Sequence, residues 1–75
     1  MKILVVEDDV AVAEVIVLIL SNQNYLVEVA NDGVAAWELV ATYEYDLLLI
    51  DVTLPRLDGI SLCRRVRAQG YQMPI

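Results

Sequence analysis

The stretch that decides the fold runs from residue 3 to residue 9 and reads Ile3-Leu4-Val5-Val6-Glu7-Asp8-Asp9. Four consecutive apolar residues, three of them β-branched, are typical of a short strand buried on both faces, as in a parallel sheet. Three acids follow, and Asp9 is suited to cap a helix N-terminus with its side chain. The stretch therefore predicts a strand, an acidic loop and a helix in succession.

The same alternation of strand and helix continues along the chain. We predict strands over Leu26–Ala30 and Leu47–Ile50, helices that follow Asp9, Asn31-Asp32-Gly33 and Asp58, and the first residues of a fourth strand at Met73–Ile75. This order, βαβαβα and the start of another strand, favours an α/β fold with a flavodoxin-like, doubly wound parallel sheet. Five βα units of this length would need roughly 110–120 residues. We therefore expect residues 1–75 to form an incomplete domain, truncated after the third helix.

Composition excludes several classes of protein. The chain has 75 residues, is 59% apolar and carries a net charge of −6, which argues against a disordered tail and against nucleic-acid binding through a basic face. Its single cysteine, Cys63, and its lack of histidine exclude an internal disulfide and a zinc site. Any bound metal must be a hard cation held by oxygen ligands.

Neither a membrane span nor a signal peptide is predicted. The longest apolar stretch, Val10–Leu20, has 11 residues and is interrupted by Glu14, whereas a helix needs about 20 apolar residues to cross a bilayer. The acids after Val6 cut the N-terminal apolar run short of a signal sequence. We expect a cytoplasmic chain without membrane contact.

Acids follow the first and third predicted strands. Strand 1 ends in Glu7-Asp8 and strand 3 ends in Asp51. If these strands are neighbours, their carboxyl ends meet at one edge of the sheet, where open α/β sheets bind ligands. Three converging carboxylates repel one another unless a cation neutralises them, and Mg²⁺ prefers such oxygen ligands. The plainer interpretation is that these acids only begin solvated loops.

Five segments form a recognisable set: Ile3–Asp9, Leu47–Pro55, Asp58-Gly59, Asn31-Asp32-Gly33 and Cys63-Arg64-Arg65. With these segments, and with the spacing from the acidic pair to Asp51, the chain resembles the receiver domain of two-component response regulators. The resemblance covers all 75 residues. It implies a phosphorylated signalling protein that is not an enzyme.

The resemblance also implies roles for individual residues. Asp51 would accept a phosphoryl group from a sensor histidine kinase. Asp8 would bind Mg²⁺ directly and Glu7 through water, with Asp51 and the backbone carbonyl of Thr53 completing the protein ligands. Phosphorylation would switch an output domain, and receivers of this pattern look like those attached to DNA-binding transcription regulators. The family's switch residues lie on its fourth and fifth strands, so we do not expect this chain to switch.

Three other functions stay open from the residues alone. A flavin- or dinucleotide-binding domain would need a glycine-rich loop after strand 1, where this chain has acids. An aspartyl phosphatase of the haloacid dehalogenase type would need Asp-x-Asp there, and the chain has Glu7-Asp8-Asp9. The third alternative is a receiver fold that serves only as an interaction or dimerisation module.

The first helix is apolar on two sides. We predict that one stripe faces the core, formed by Val12, Val15, Ile16 and Ile19. A second stripe would then be free for a partner: Val10, Ala13, Val17 and Leu18. A helix that is apolar nearly all round is normally buried, so we expect the chain to form a homodimer or a larger assembly.

Overall fold

Three strands and three helices alternate along the chain in the computed structural model, which describes residues 1–75. In chain order they are β1 (Lys2–Val6), α1 (Val10–Ser21), β2 (Leu26–Ala30), α2 (Gly33–Thr42), β3 (Leu47–Ile50) and α3 (Gly59–Ala68). The predicted succession of elements is confirmed as far as α3. None of the helices has the length and hydropathy needed to cross a membrane.

The three strands form one parallel sheet in the order β2-β1-β3. β1 is the central strand and the most deeply buried: Ile3–Val6 are all between 0% and 1% exposed. Val6 lies opposite Ala30 of β2 and Ile50 of β3, so all three strands end at the same edge. This is the order expected for the first three strands of a flavodoxin-like sheet.

Helices cover both faces of the sheet. α2 and α3 pack against each other over one face, where ten side chains form the main core: Leu4, Val6, Ala30, Ala36, Val40, Tyr45, Leu48, Leu54, Leu62 and Val66. Side chains alternate between the two faces of a strand, so Ile3 and Val5 of β1 face α1 instead. The fold is therefore doubly wound, as predicted.

Each helix begins at an aspartate. Asp9 Oδ1 accepts hydrogen bonds from the Ala11 and Val12 amides of α1, at 3.0 and 3.2 Å. Asp32 accepts from the Ala35 amide at 2.7 Å and Asp58 from the Ser61 amide at 2.9 Å. The Ser61 amide and hydroxyl lower the pKa of Asp58 below its usual value. These caps satisfy helix amides that have no partner within the helix.

The prediction that Val12, Val15, Ile16 and Ile19 of α1 face the core is wrong. Ala13, predicted on the outer stripe, is 4% exposed, whereas Val12, Val15 and Ile19 are 44%, 55% and 57% exposed. Only Ile16 of the predicted core stripe is half-buried. Both stripes are apolar, so periodicity could not choose between them. α1 lies over β1 and β2, and the small side chain of Ala13 faces the sheet.

The predicted start of a fourth strand is also not formed. Residues 71–75 adopt no regular strand, although the Leu48 amide donates to the Pro74 carbonyl at 3.0 Å. This single hydrogen bond places Pro74 beside the outer edge of β3. The segment thus lies where a fourth strand would pair.

A polar network links Lys2 of β1, Glu28 in the middle of β2, and Tyr45 just before β3. The buried hydroxyl of Tyr45 donates to Glu28 Oε1 at 2.5 Å, and Lys2 Nζ lies 3.4 Å from the other oxygen of Glu28. The same ammonium lies 5.2 and 5.0 Å from the ring centroids of Tyr43 and Tyr45. The Tyr45 hydroxyl, and then Lys2, lower the pKa of Glu28, while burial raises the pKa of Tyr45.

We expect Tyr45→Phe to lower the free energy of unfolding at neutral pH by about 1 kcal/mol, because one hydrogen bond to a carboxylate is lost. The Glu28 pKa is lowered in the folded state, so this stabilisation is present above the unfolded-state pKa and lost as the pH falls through the folded-state value. Urea unfolding at several pH values measures it. Tyr43→Phe is the control, since its exposed ring keeps its cation contact; equal effects would contradict the network.

Candidate acidic site at the carboxyl edge of the sheet

Adjacent ends of β1 and β3 bring three acids together. Because Val6 and Ile50 are paired, Glu7 and Asp51 leave the sheet side by side, and the Asp51 amide donates to the Val6 carbonyl at 3.0 Å. One carboxylate oxygen from each of Glu7, Asp8 and Asp51 lies within 4.8 Å of the others. Glu7 and Asp51 are half-buried, and Asp8 is exposed. The convergence predicted from the two strand ends is confirmed as geometry.

Electrostatic repulsion within this acidic cluster (Glu7, Asp8 and Asp51) affects the protonation of Glu7. The Asp9 amide donates to Glu7 Oε1 at 3.1 Å and on its own lowers the Glu7 pKa. Loss of solvation and the charges of Asp51 and Asp8 outweigh it, so the pKa of Glu7 lies above its ordinary value. A divalent cation between the carboxylates would remove this repulsion. The donor set, carboxylate oxygens alone, suits Mg²⁺.

The loop after Asp51 is held close to its carboxylate. The Thr53 amide donates to Asp51 Oδ1 at 3.3 Å, and the Gly59 amide donates to the Val52 carbonyl at 2.9 Å. A Cβ atom on Gly59 would lie 2.0 Å from the Asp51 carbonyl oxygen, so only glycine permits this approach. The ligand role of the Thr53 carbonyl stays a prediction.

Residues outside the acidic cluster also hold its loops, and the sequence analysis assigned them no such contacts. The Asn31 side-chain amide donates to the Glu7 carbonyl at 3.2 Å. Arg56 lies 3.6 Å from Asp32, and Gly33 packs directly against the backbone of Leu57. The available signal was Asn31-Asp32-Gly33, which predicted only a turn before α2.

The acidic cluster borders an open depression beside α1. Its volume is about 240 Å³, and its lining combines two of the acids with apolar side chains: Val5, Val6, Glu7, Ile16, Leu49, Ile50 and Asp51. The carboxylates are therefore reachable from solvent at one end of an apolar surface. An anionic group that approaches Asp51 would be repelled by the acidic cluster unless a cation offset its charge.

We expect Asp51→Asn to stabilise the metal-free protein by about 1 kcal/mol, because it removes one of three mutually repelling charges. Asparagine keeps an oxygen that can accept from the Thr53 amide. Thermal unfolding in the presence of a chelator measures the change. Glu44→Gln makes the same change in net charge at an exposed residue outside the acidic cluster. A stabilisation of the same size in this control would contradict local repulsion.

Comparisons with known proteins agree with this geometry. The chain is 51% identical over 75 residues to the response regulator MprA of Mycobacterium leprae (strain TN) and covers 33% of it. It is 52% identical to the protein RcaC of Microchaete diplosiphon and covers 12% of that chain. All 75 residues take part in both matches. The chain thus spans no more than a third of the length of these relatives.

Solved structures give the same family. The BeF3-activated N-terminal receiver domain of Klebsiella pneumoniae RstA is similar with a TM-score of 0.92 and 38% identity, over 99% of this chain and 63% of that one. The response regulator TrrA of Thermotoga maritima, solved in complex with Mg²⁺-BeF, is similar with a TM-score of 0.89 and 26% identity, over 92% and 60%. The profile of the response regulator receiver domain matches residues 3–75. The chain therefore belongs to the receiver domain family of two-component response regulators.

Proposed function

We propose that Asp51 accepts a phosphoryl group from the phosphohistidine of a sensor histidine kinase, in a reaction that requires Mg²⁺. The observation that carries the proposal is the convergence of Glu7, Asp8 and Asp51 within 4.8 Å at the carboxyl edge of the sheet. A response regulator of similar fold has been solved with Mg²⁺-BeF, which supports the metal requirement. The transfer forms a bond between an Asp51 oxygen and phosphorus and breaks the bond to the histidine nitrogen.

The residues of the acidic cluster and the loop after Asp51 would have different roles in this reaction. Asp8 and Asp51 would hold the ion directly, Glu7 would act through water, and the Thr53 carbonyl would complete the protein ligands. When bound, Mg²⁺ supplies positive charge that offsets the phosphoryl oxygens. The Thr53 amide, at 3.3 Å from Asp51 Oδ1, orients that oxygen and leaves the other free to attack. The chain is thus a reactant phosphorylated once per signal, not an enzyme with turnover.

We further propose that residues 1–75 are the N-terminal part of a receiver domain in a longer cytoplasmic regulator. The relative MprA, about three times as long as this chain, supports an additional output domain. We propose DNA binding and transcription control for that domain. The receiver itself carries a net charge of −6 and would not bind nucleic acid directly.

Phosphorylation of Asp51 is tested by incubating the protein with acetyl phosphate and Mg²⁺ and measuring the intact mass. We expect the addition of one phosphoryl group, abolished by a chelator and by Asp51→Asn. Asp58→Asn is the matched control, because Asp58 lies in the same loop and caps α3; it should still be phosphorylated. An adduct that persists in Asp51→Asn would assign the phosphate to another residue.

Exposed apolar side chains favour a second role for this chain, self-association. On α1, Val12, Val15 and Ile19 are about half exposed, and Leu49 of β3 is 43% exposed. Val12, Val15 and Ile19 are spaced to lie on one face of α1, and exposed apolar surface usually marks an interface. We propose a homodimer that covers this face, since two-fold pairing is the commonest closed arrangement.

Sedimentation velocity over a range of concentrations tests the homodimer. We expect an 8.4 kDa chain to sediment as a dimer, and Val15→Lys to shift it to a monomer, because a charge would be buried at the interface. Ser21→Lys adds the same charge at an exposed position at the end of α1 and should remain dimeric. A wild-type chain that stays monomeric at every concentration contradicts self-association.

A further inference from the structure

The end of β2 contributes no carboxylate to the acidic cluster, yet it contacts the loop that carries two of the three. The Asn31 side-chain amide donates to the Glu7 carbonyl at 3.2 Å. In return, the Glu7 amide donates to the Ala30 carbonyl at 3.0 Å. The backbone of Glu7 is therefore held by β2 on both sides of the residue, one bond through the strand and one through the asparagine.

The next two residues contact the other loop of the site, the one after Asp51. One oxygen of Asp32 caps α2, while the second lies 3.6 Å from Arg56. Gly33 approaches Leu57 so closely that a Cβ atom would lie 1.8 Å from the Leu57 carbonyl oxygen. The Gly33 amide is also directed at the Pro55 carbonyl, at 3.5 Å.

A simple helix-starting turn does not require these contacts. Capping uses only one oxygen of Asp32. Gly33 does not have a positive φ; among the glycines of this chain only Gly70 does. The backbone conformation at residue 33 is thus open to any residue, and only the approach of Leu57 demands glycine. Arg56, by contrast, is held at a φ of 69°, a conformation uncommon for a residue with a side chain. Strain of this kind persists where surrounding contacts impose it.

We propose that Asn31, Asp32 and Gly33 form a bracket that fixes the two acidic loops relative to each other and so sets the spacing of the metal-binding carboxylates. Asn31 positions the loop of Glu7 and Asp8, and Asp32 and Gly33 position the loop that begins at Asp51. None of the three belongs to the group of acids that could hold the ion; they are positioning residues. The inference rests on the proposed function, because it assigns the bracket to the same Mg²⁺ site.

The test compares Mg²⁺ affinity, measured by isothermal titration calorimetry, with metal-free thermal stability. Asn31→Ala should weaken Mg²⁺ binding about fivefold, the effect of one lost hydrogen bond. Arg56→Gln, which removes the ion-pair partner of Asp32, should weaken Mg²⁺ binding about twofold, as expected for a surface ion pair. Gly33→Ala is avoided because its Cβ would displace the backbone of Leu57 and endanger folding.

Asn22→Ala is the matched control, since Asn22 is exposed at the end of α1, outside the bracket. It should leave both the Mg²⁺ affinity and the metal-free melting temperature unchanged, whereas Asn31→Ala should lower both, because its hydrogen bond to the Glu7 carbonyl does not require the ion. Wild-type Mg²⁺ affinity in both Asn31→Ala and Arg56→Gln would overturn the positioning role of the bracket and leave the proposed metal site in place. A wild-type protein that binds no Mg²⁺ would overturn the proposed metal site and the bracket's role with it. A loss of metal-free stability without loss of affinity would make Asn31 a purely structural residue.

Discussion

Parallel pairing of β1 with β3, in the register that sets Val6 opposite Ile50, is the constraint on which the acidic site depends. A slip of one residue would turn every side chain of β3 to the opposite face and would separate Asp51 from Glu7. The register is secured by burial rather than by the acids, because the side chains of Ile3–Val6 are almost completely enclosed. Hydrophobic packing in the middle of the sheet thus determines the spacing of charges at its edge.

Acids at this edge divide into two groups with different partners. Asp9, Asp32 and Asp58 each accept hydrogen bonds from helix amides, which also present the positive end of a helix dipole. Glu7, Asp8 and Asp51 have no basic partner, since the ion pairs of the chain are Lys2–Glu28 and Arg56–Asp32. The second group is therefore left without an ion-pair partner, and a bound cation would offset its charge.

Much of the fold followed from short apolar runs and from acids at helix starts, because both signals are local. The convergence of the acids followed as well once β1 and β3 were taken as neighbours, since the carboxyl ends of parallel strands lie at the same edge of the sheet. The orientation of α1 could not be predicted, because its two sides are equally apolar. The close packing of Ala13 against the sheet decides which side is buried. Contacts such as Asn31 to Glu7, 24 residues apart, join a side chain to a backbone carbonyl and leave no pattern in the sequence.

Backbone contacts, more than side chains, set the surroundings of Asp51. The loop after it is limited at one end by the approach of Gly59 to the Asp51 carbonyl and near its other end by the approach of Leu57 to Gly33. Leu54 anchors it in the core, while Thr53 is exposed. The side chain at position 53 is consequently free to vary, because the contact it supplies to Asp51 comes from its amide. The two glycines have no such freedom, since any Cβ would displace the backbone of the loop that begins at Asp51.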